Sequence, residues 1–341
     1  MQFTTLVPAY KPKYLMDLLT CLRHQTVKPA KVIFSDDSPD QAFVAMLTTE
    51  PVSSLVADLN ISVVAGPRTG GYNNFRHLLN LYNSDINQRT ELFHLLLDDD
   101  VIYPSFYERH LEAHQCAKLP CVISRRWSAS ESGHPHRDDL TVPSIVSNNI
   151  NRMLSIAAET LFAQTVGSCK NWLGEFSNAT FRAEMATELD DTSIAGISFH
   201  GLEDLGGFLK ASMHGPIGYI QDYLGYFRTS AQQNSANPMG RPLKLAFLAY
   251  ISLTIAGRRL NYLSQAQSAE AIKLTSLFIL QHYQAEDDMR DMCELMKLMS
   301  VNASETEDDF LRLWQIYSSS SHSLLTKNDQ KICQPSEFQG Q

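Results

Sequence analysis

The chain has 341 residues, enough for a substantial core and room for two domains, and its 44% hydrophobic and 19% charged residues are the balance of a globular protein. Its 28 Lys and Arg against 37 Asp and Glu leave a formal charge of -9, which argues against nucleic-acid binding through a general basic surface. The six cysteines form no C-x-x-C pair, Met1 leads into a strand with no signal peptide before it, and the longest apolar run, Leu245 to Ala256, is too short and too polar to span a bilayer, so a reduced, cytoplasmic setting is expected.

Phe3 to Val7 reads as a strand stopped by Pro8, and Tyr14 to His24 as a helix whose Leu15, Leu18, Leu19 and Leu22 form one stripe. Lys31 to Phe34 is a second strand, stopped by the polar run Ser35, Asp36, Asp37, Ser38, Pro39, Asp40. Together they make a β-α-β unit. Asn60 to Ala65 is a third strand, Gly70 to Tyr82 a helix with Phe75, Leu78, Leu79 and Tyr82 on one side, and Glu91 to Leu97 a fourth strand. This alternation implies an α/β fold with a mostly parallel sheet, whose ligands gather beyond the C-terminal ends of its strands.

The glycine-rich stretch Gly66, Pro67, Arg68, Thr69, Gly70, Gly71, Tyr72 opens the second helix. It is neither a Walker loop nor a dinucleotide fingerprint. Gly70 and Gly71 let backbone amides approach a phosphate or sugar and Arg68 can pair with a diphosphate; the same residues also suit a plain turn and helix cap.

The fourth strand ends abruptly in Asp98, Asp99 and Asp100 after Leu95, Leu96 and Leu97. Three carboxylates at the end of an apolar run are costly unless a cation neutralises them, and a divalent metal, Mg²⁺ or Mn²⁺, is the expected one. On an extended segment Asp98 and Asp100 point to one side and share the ion while Asp99 faces elsewhere. A solvated acidic turn is the alternative.

Other constellations carry less. His110 and His114 lack the glutamate beside the first histidine that the zinc-protease motif needs, and read as a helix surface. His134, Pro135, His136, Arg137, Asp138 and Asp139 sit in a polar stretch, Ser128 to Pro143, that reads as a mobile loop over the site. Trp172 is either a core residue or a platform for a sugar ring. Glu203 and Asp204 stand at the start of a helix, where free amides favour negative charge. Beyond about Asn237 the chain turns to helix formers, with stripes over Leu243 to Leu263, Ser268 to Tyr283, Glu286 to Met299 and Thr306 to Tyr317. Arg241, Lys244, Arg258 and Arg259 flank the first of these helices, which suits either an anionic membrane surface or packing against the rest of the protein or a second subunit.

Val7-Pro8-Ala9-Tyr10, Gln25-Thr26, Ser35-Asp36-Asp37-Ser38, Leu97-Asp98-Asp99-Asp100, Leu202-Glu203-Asp204 and the ending Tyr226-Phe227-Arg228-Thr229-Ser230-Ala231-Gln232-Gln233-Asn234-Ser235 follow one another as in family 2 glycosyltransferases with the GT-A fold, which the chain resembles over about residues 2 to 235. The resemblance implies a Rossmann-like GT-A catalytic domain over 1–236, with a nucleotide-sugar half about 1–127 and an acceptor half about 128–236. A helical region over 237–318 and a polar, disordered tail over 319–341 complete the expected layout. Gly-Gly followed by Leu-Leu-Leu-Asp-Asp-Asp is similar to the galactofuranose- and rhamnose-transferring branches.

Position by position, the resemblance implies that Pro8, Ala9 and Tyr10 line the nucleotide base and that Asp37 accepts a hydrogen bond from it, with Asp98 and Asp99 beside the donor. It implies that the segment Gly174 to Arg182 faces the acceptor. Asp204 is then the general base that takes the acceptor proton, with Glu203 in support, and the reaction an inverting transfer from a UDP or dTDP sugar to a glycan or lipid-linked acceptor. Ser230 stands where many members carry a histidine, and Lys210 where many carry an arginine. Peripheral membrane contact and a homo-oligomer through the C-terminal helices are further expectations. Two other readings are a non-catalytic, degenerate sugar- or partner-binding member and a sugar-phosphate nucleotidyltransferase; the second needs a glycine-rich Arg-Lys loop after the first strand, which Pro8 to Lys13 does not supply.

Overall fold

The computed structural model describes residues 1–84, 89–138, 140–230, 233 and 236–332, with side chains as far as Ser319. Asp139, Ala231, Gln232, Asn234, Ser235 and the end of the expected tail, 333–341, lie outside the described residues.

Strands β1 (Phe3–Ala9), β2 (Lys31–Asp36), β3 (Ile61–Ala65) and β4 (Leu92–Leu95) lie in the order β3-β2-β1-β4 and are all parallel. Beyond β4 the sheet is mixed. It continues through Ala179–Arg182, antiparallel to β4, then β6 (Cys121–Ala129), then the long strand Ile217–Arg228, and ends on β5 (Val101–Ile102).

β1 runs two residues past its expected end at Val7, through Pro8 to Ala9. The carbonyls of Phe3 and Ala9 accept from Ala30 and Asp37 on the β2 side, so Leu6 and Pro8 face β4, where Leu6 accepts from the Leu96 amide and the ladder ends. Proline's missing N–H therefore falls just beyond the last β4 rung and costs no hydrogen bond. β4 is shorter than expected. It ends at Leu95, and Leu96 to Asp100 turn, closed by the Asp100 amide on the Leu97 carbonyl at 3.3 Å. An extended segment would drive Asp99 into the apolar side; the turn lets each carboxylate reach its own donor.

The sheet carries one apolar core on each face. Leu15, Leu18, Leu19 and Leu22 of α1 (Leu15–Arg23) fill one, with Phe3, Val7, Phe34 and Phe106. The other joins the helix Gly71–Ser84 to Phe93, Phe176, Phe181 and Phe208, and continues without a break into the C-terminal helices Arg241–Arg259, Gln265–Tyr283, Arg290–Met299 and Ala303–Ile332. Trp172 belongs to this second core: it is 1% exposed, its indole donates to the Gln164 carbonyl at 3.0 Å, and Tyr219 meets it edge-on at 5.1 Å. Its ring is thus covered, which removes it as a sugar platform.

The cations flanking the first C-terminal helix are engaged within the protein. Lys244 pairs with Glu286 and Asp288, Arg258 and Arg259 with Glu307, and Arg241 donates to the Tyr317 carbonyl. Packing, not a membrane surface, accounts for that helix, and no helix among the described residues is long and apolar enough to cross a membrane. The helical block also grips the segment before the helix Glu203–Ser212 directly: the Ser198 carbonyl accepts from Ser252 Oγ at 2.7 Å and from Trp314 Nε1 at 2.8 Å.

His110 and His114 are buried, not on a helix surface as expected. On the helix Phe106–Cys116 their four-residue spacing puts both on the sheet-facing side, where they bond to Thr180 Oγ1 at 2.9 and 3.0 Å. Phe106 stacks between His110 and a third buried imidazole, His94, which bonds through Nε2 to the Ser177 carbonyl and through Nδ1 to the Tyr107 hydroxyl.

A Cβ built on Gly206 would lie 2.2–2.5 Å from the Phe199 ring. Gly206→Ala is therefore expected to lose about 1–3 kcal/mol of stability by forcing the helix Glu203–Ser212 off Phe199, read as a lowered urea midpoint. An unchanged midpoint would mean that Phe199 moves aside without cost.

Candidate active site

The exits of β1, β2 and β4 meet at one edge. Ala9 is buried, Pro8 half-buried, and Tyr10 is 57% exposed, so an aromatic face stands open beside the edge. At the β2 exit the two aspartates divide the work. Asp36 is buried and structural: its carboxylate accepts from the Ser38 amide and hydroxyl and from the Val44 amide, an Asx-type turn that caps the next helix. Asp37 is left facing the edge. Its Oδ1 accepts from the Arg68 amide at 2.7 Å, and burial pushes its carboxyl above the ordinary range. Gly66 permits that approach, since a Cβ there would sit 2.2 Å from Asp37 Oδ1.

Arg68 has a left-handed backbone (φ 55°) and an exposed side chain. Gly70, with φ 98°, requires glycine, and added Cβ atoms on Gly70 or Gly71 would meet nothing. The start of the Gly71–Ser84 helix is thus open to solvent. Packing does not demand a glycine at 71.

The acidic turn is where expectation and structure part. Asp98 Oδ2 accepts from the Tyr10 and Lys11 amides, both at 2.5 Å, so it faces the β1 exit. Asp99 pairs with the Lys11 ammonium. Asp100 Oδ1 accepts from the Arg228 amide at 3.0 Å, and the buried Arg228 guanidinium donates to the Asp99 carbonyl at 2.8 Å while pairing with Asp17. Burial, reinforced by Asp99, pushes Asp98 up to about 6 and Asp100 well above the ordinary range. Burial alone would lower Lys11; Asp99, with Asp98 and Asp100, raises it instead. The neutralising cations expected here are therefore supplied in good part by the chain itself.

Asp98 and Asp100 do not converge on one point as the extended-strand argument required. Among the described residues no group of three His, Cys, Asp or Glu side chains could hold a metal ion. Asp100 Oδ2, however, is buried with no donor at hydrogen-bond distance, although the nearby Ser177 hydroxyl favours the Asp100 charge. One such carboxylate fits a hard divalent cation, since Mg²⁺ sites take one or two carboxylates and complete the shell with substrate phosphates and water. Lys11 and Arg228 were not assigned roles from the sequence. The available signal was Arg228 itself, a charge closing the Tyr226-Phe227 end of a buried strand and therefore in need of partners.

Across from the acidic turn, the segment Glu175–Asn178 folds into a capped turn whose entry at Gly174 (φ 93°) requires glycine. Glu175 forms a two-pronged pair with buried Arg126, at 2.7 and 2.9 Å. Asp100, Arg126, Glu175 and Ser177 line one small cavity of about 10 Å³, room for a single water. The next carboxylate is Asp204, in the first turn of the helix Glu203–Ser212, where Oδ1 accepts a long 3.3 Å bond from the Phe176 amide.

Glu203 and Asp204 are adjacent but pushed apart in acidity. Burial, with the charges of Glu175 and Glu203, holds Asp204 well above the ordinary carboxylate range. Burial would raise Glu203 too, but the His200 imidazole at 2.7 Å and the Gly201 amide hold it below. Burial thus favours the protonated form of Asp204, while its neighbour Glu203 is held in the charged form. The loop Ser128 to Pro143 is tied over this region at several points: Pro135–Arg137 pair with β6, Asp138 with Arg125 and Tyr223, and the Glu131 carbonyl accepts from Arg228.

No protein-family model matches the chain, and no curated protein sequence does. Solved structures do. A crystal structure of S. aureus TarS 1–349 matches 97% of this chain and 92% of its own at 13% identity and TM-score 0.54, and the same protein in complex with UDP-GlcNAc matches 94% and 92% at 14% and 0.53. Against the longer S. aureus TarS chain the match covers 84% of this chain, at 14% identity and TM-score 0.51, and this chain spans only 44% of the other's length. The strand order and these likenesses together show that the chain has a GT-A-type fold.

Proposed function

We propose that this protein is an inverting glycosyltransferase that moves a sugar from a nucleoside diphosphate to a hydroxyl of a glycan or lipid-linked acceptor, in the cytoplasm, with UDP or dTDP as the nucleotide. The observation that carries the reading is the juxtaposition of a donor edge, Tyr10 with Asp37 and the open Gly70-Gly71 helix start, with a carboxylate of raised basicity, Asp204, across the Glu175 turn. Tyr10 offers a face to a pyrimidine and Asp37 an acceptor for its N–H. Arg68 and the helix amides suit the diphosphate. Asp204 takes the proton from the acceptor hydroxyl as its oxygen bonds to the anomeric carbon; the bond from that carbon to the diphosphate breaks, and its electron pair leaves with the phosphate.

Asp100, through its unpaired buried oxygen, is the residue that would hold Mg²⁺ or Mn²⁺. A bound divalent ion supplies Lewis-acid neutralisation of the departing diphosphate. Lys11 and Arg228 keep the acidic turn neutral and positioned for it.

Thermal shift with UDP, dTDP and GDP, each with and without Mn²⁺, tests the donor half. One pyrimidine diphosphate at a hundred times its dissociation constant should stabilise by about 2.7 kcal/mol. The Mn²⁺-dependent part of that shift should vanish in Asp100→Asn. A shift equal with and without Mn²⁺ would assign diphosphate neutralisation to Lys11 and Arg228 alone, and no shift with any diphosphate would overturn the donor reading.

A further inference from the structure

A cleft of about 560 Å³ opens beside His200, within the range of small-molecule sites. Its walls come from separate parts of the chain. The helix Gly71–Ser84 contributes Tyr72 and Arg76, the turn after Met185–Asp190 contributes Asp191 and Thr192, and the last helix closes it with Gln315 and Ser319. His200 stands in the cleft wall and bonds to Glu203, so the cleft is one side chain away from the pair that includes Asp204.

The lining says what such a cleft takes. Its charges are matched: Arg76 donates to Asp190 at 2.7 and 3.2 Å, and Lys210 to Asp191 at 2.8 Å. An anionic or cationic ligand would have to break one of these pairs. The remaining groups are hydroxyls, an amide and the edges of Tyr72 and His200, which meet at 5.8 Å, so the lining mixes polar and apolar surface in about equal parts. Carboxylates and a guanidinium held rigidly by each other, with hydroxyls and aromatic edges around them, match the vicinal hydroxyls and C–H faces of an uncharged sugar.

We propose that this cleft binds a neutral saccharide unit of the acceptor, and that the last helix, through Gln315 and Ser319, sets which one. The assignment of the sugar as acceptor rests on the transferase reading above; the binding itself does not. The test uses the full chain and the methyl glycosides of glucose, galactose, N-acetylglucosamine and rhamnose, titrated at millimolar concentration by protein-observed NMR with and without UDP. At least one glycoside is expected to bind, and Ser319→Trp, which places an indole in the cleft mouth, should weaken it by about tenfold or more with UDP stabilisation unchanged. Gln315→Ala provides a second, milder variant, and the urea midpoints of both show that they fold. No binding by any of the four glycosides, or binding unaltered in both variants, overturns the proposal. Glycoside binding with no nucleotide binding would sink the donor reading and leave the cleft standing.

Discussion

Asp204→Asn is expected to lower turnover about 10²- to 10⁴-fold while UDP affinity stays within about twofold. The asparagine keeps the shape and can still accept from the Phe176 amide, so what is lost is the capacity to take a proton. The pH dependence separates this from a structural effect. A base works only when deprotonated, and because burial and the Glu175 charge hold the Asp204 carboxyl well above the ordinary range, activity should climb with pH through a higher value than a free carboxylate would give. Residual activity in the asparagine variant should lose that limb. Equal losses of UDP binding and turnover would instead make Asp204 a positioning residue. Glu203→Gln should cost less, since Glu203 is held by His200 and the Gly201 amide, not poised for transfer.

The second large effect is on stability in acid. Burial drives His94 and His114 down to about 3 and His110 well below the ordinary imidazole value. The unfolded chain takes up a proton at each imidazole near pH 6.5 and the folded chain does not, so each contributes stability that is complete above about pH 6.5 and is lost as pH falls toward the folded value. At pH 5 the loss is about 2 kcal/mol per histidine. Asp98, Asp100 and Asp204 pull the other way, because their folded forms bind protons more readily, so the imidazole share must be isolated by difference. His110→Leu and His114→Leu, compared with the native chain by urea unfolding at pH 7.5 and 5.0, should each gain about 2 kcal/mol relative to it on acidification. A difference that does not change with pH would show that these histidines take up protons as readily in the folded chain as in the unfolded one.

Much of the architecture is written locally. The stripes of α1 and of the first three C-terminal helices appear within a few residues of where the periodicity puts them, because a helix that covers a sheet or a neighbour must present apolar groups at its own repeat; the last helix starts near its stripe but runs on to Ile332, past the Tyr317 end and into the expected tail. Three things were not legible. The turn after β4 depends on donors from the β1 exit and from Arg228, some 90 and 130 positions away in the chain, which no window of sequence contains. Trp172 offered a large aromatic with no local sign of which face would be covered. His110 and His114 looked polar and exposed because their partner, Thr180, lies on a strand that only the tertiary fold brings beneath them. The places of Tyr10, Asp37 and Glu203-Asp204, in contrast, were legible as ordered short motifs, each at the end of its own element.

The Ser198 carbonyl holds two donors from the C-terminal helices, and His200, Glu203 and Asp204 follow it within six residues. The helical block is thereby a splint on the segment that carries the proposed base, not an accessory that could be exchanged at will. Drift in Ser252 or Trp314 would tilt that segment and Asp204 with it. A graft of this block from another transferase would have to reproduce that two-donor grip before it could preserve the rate.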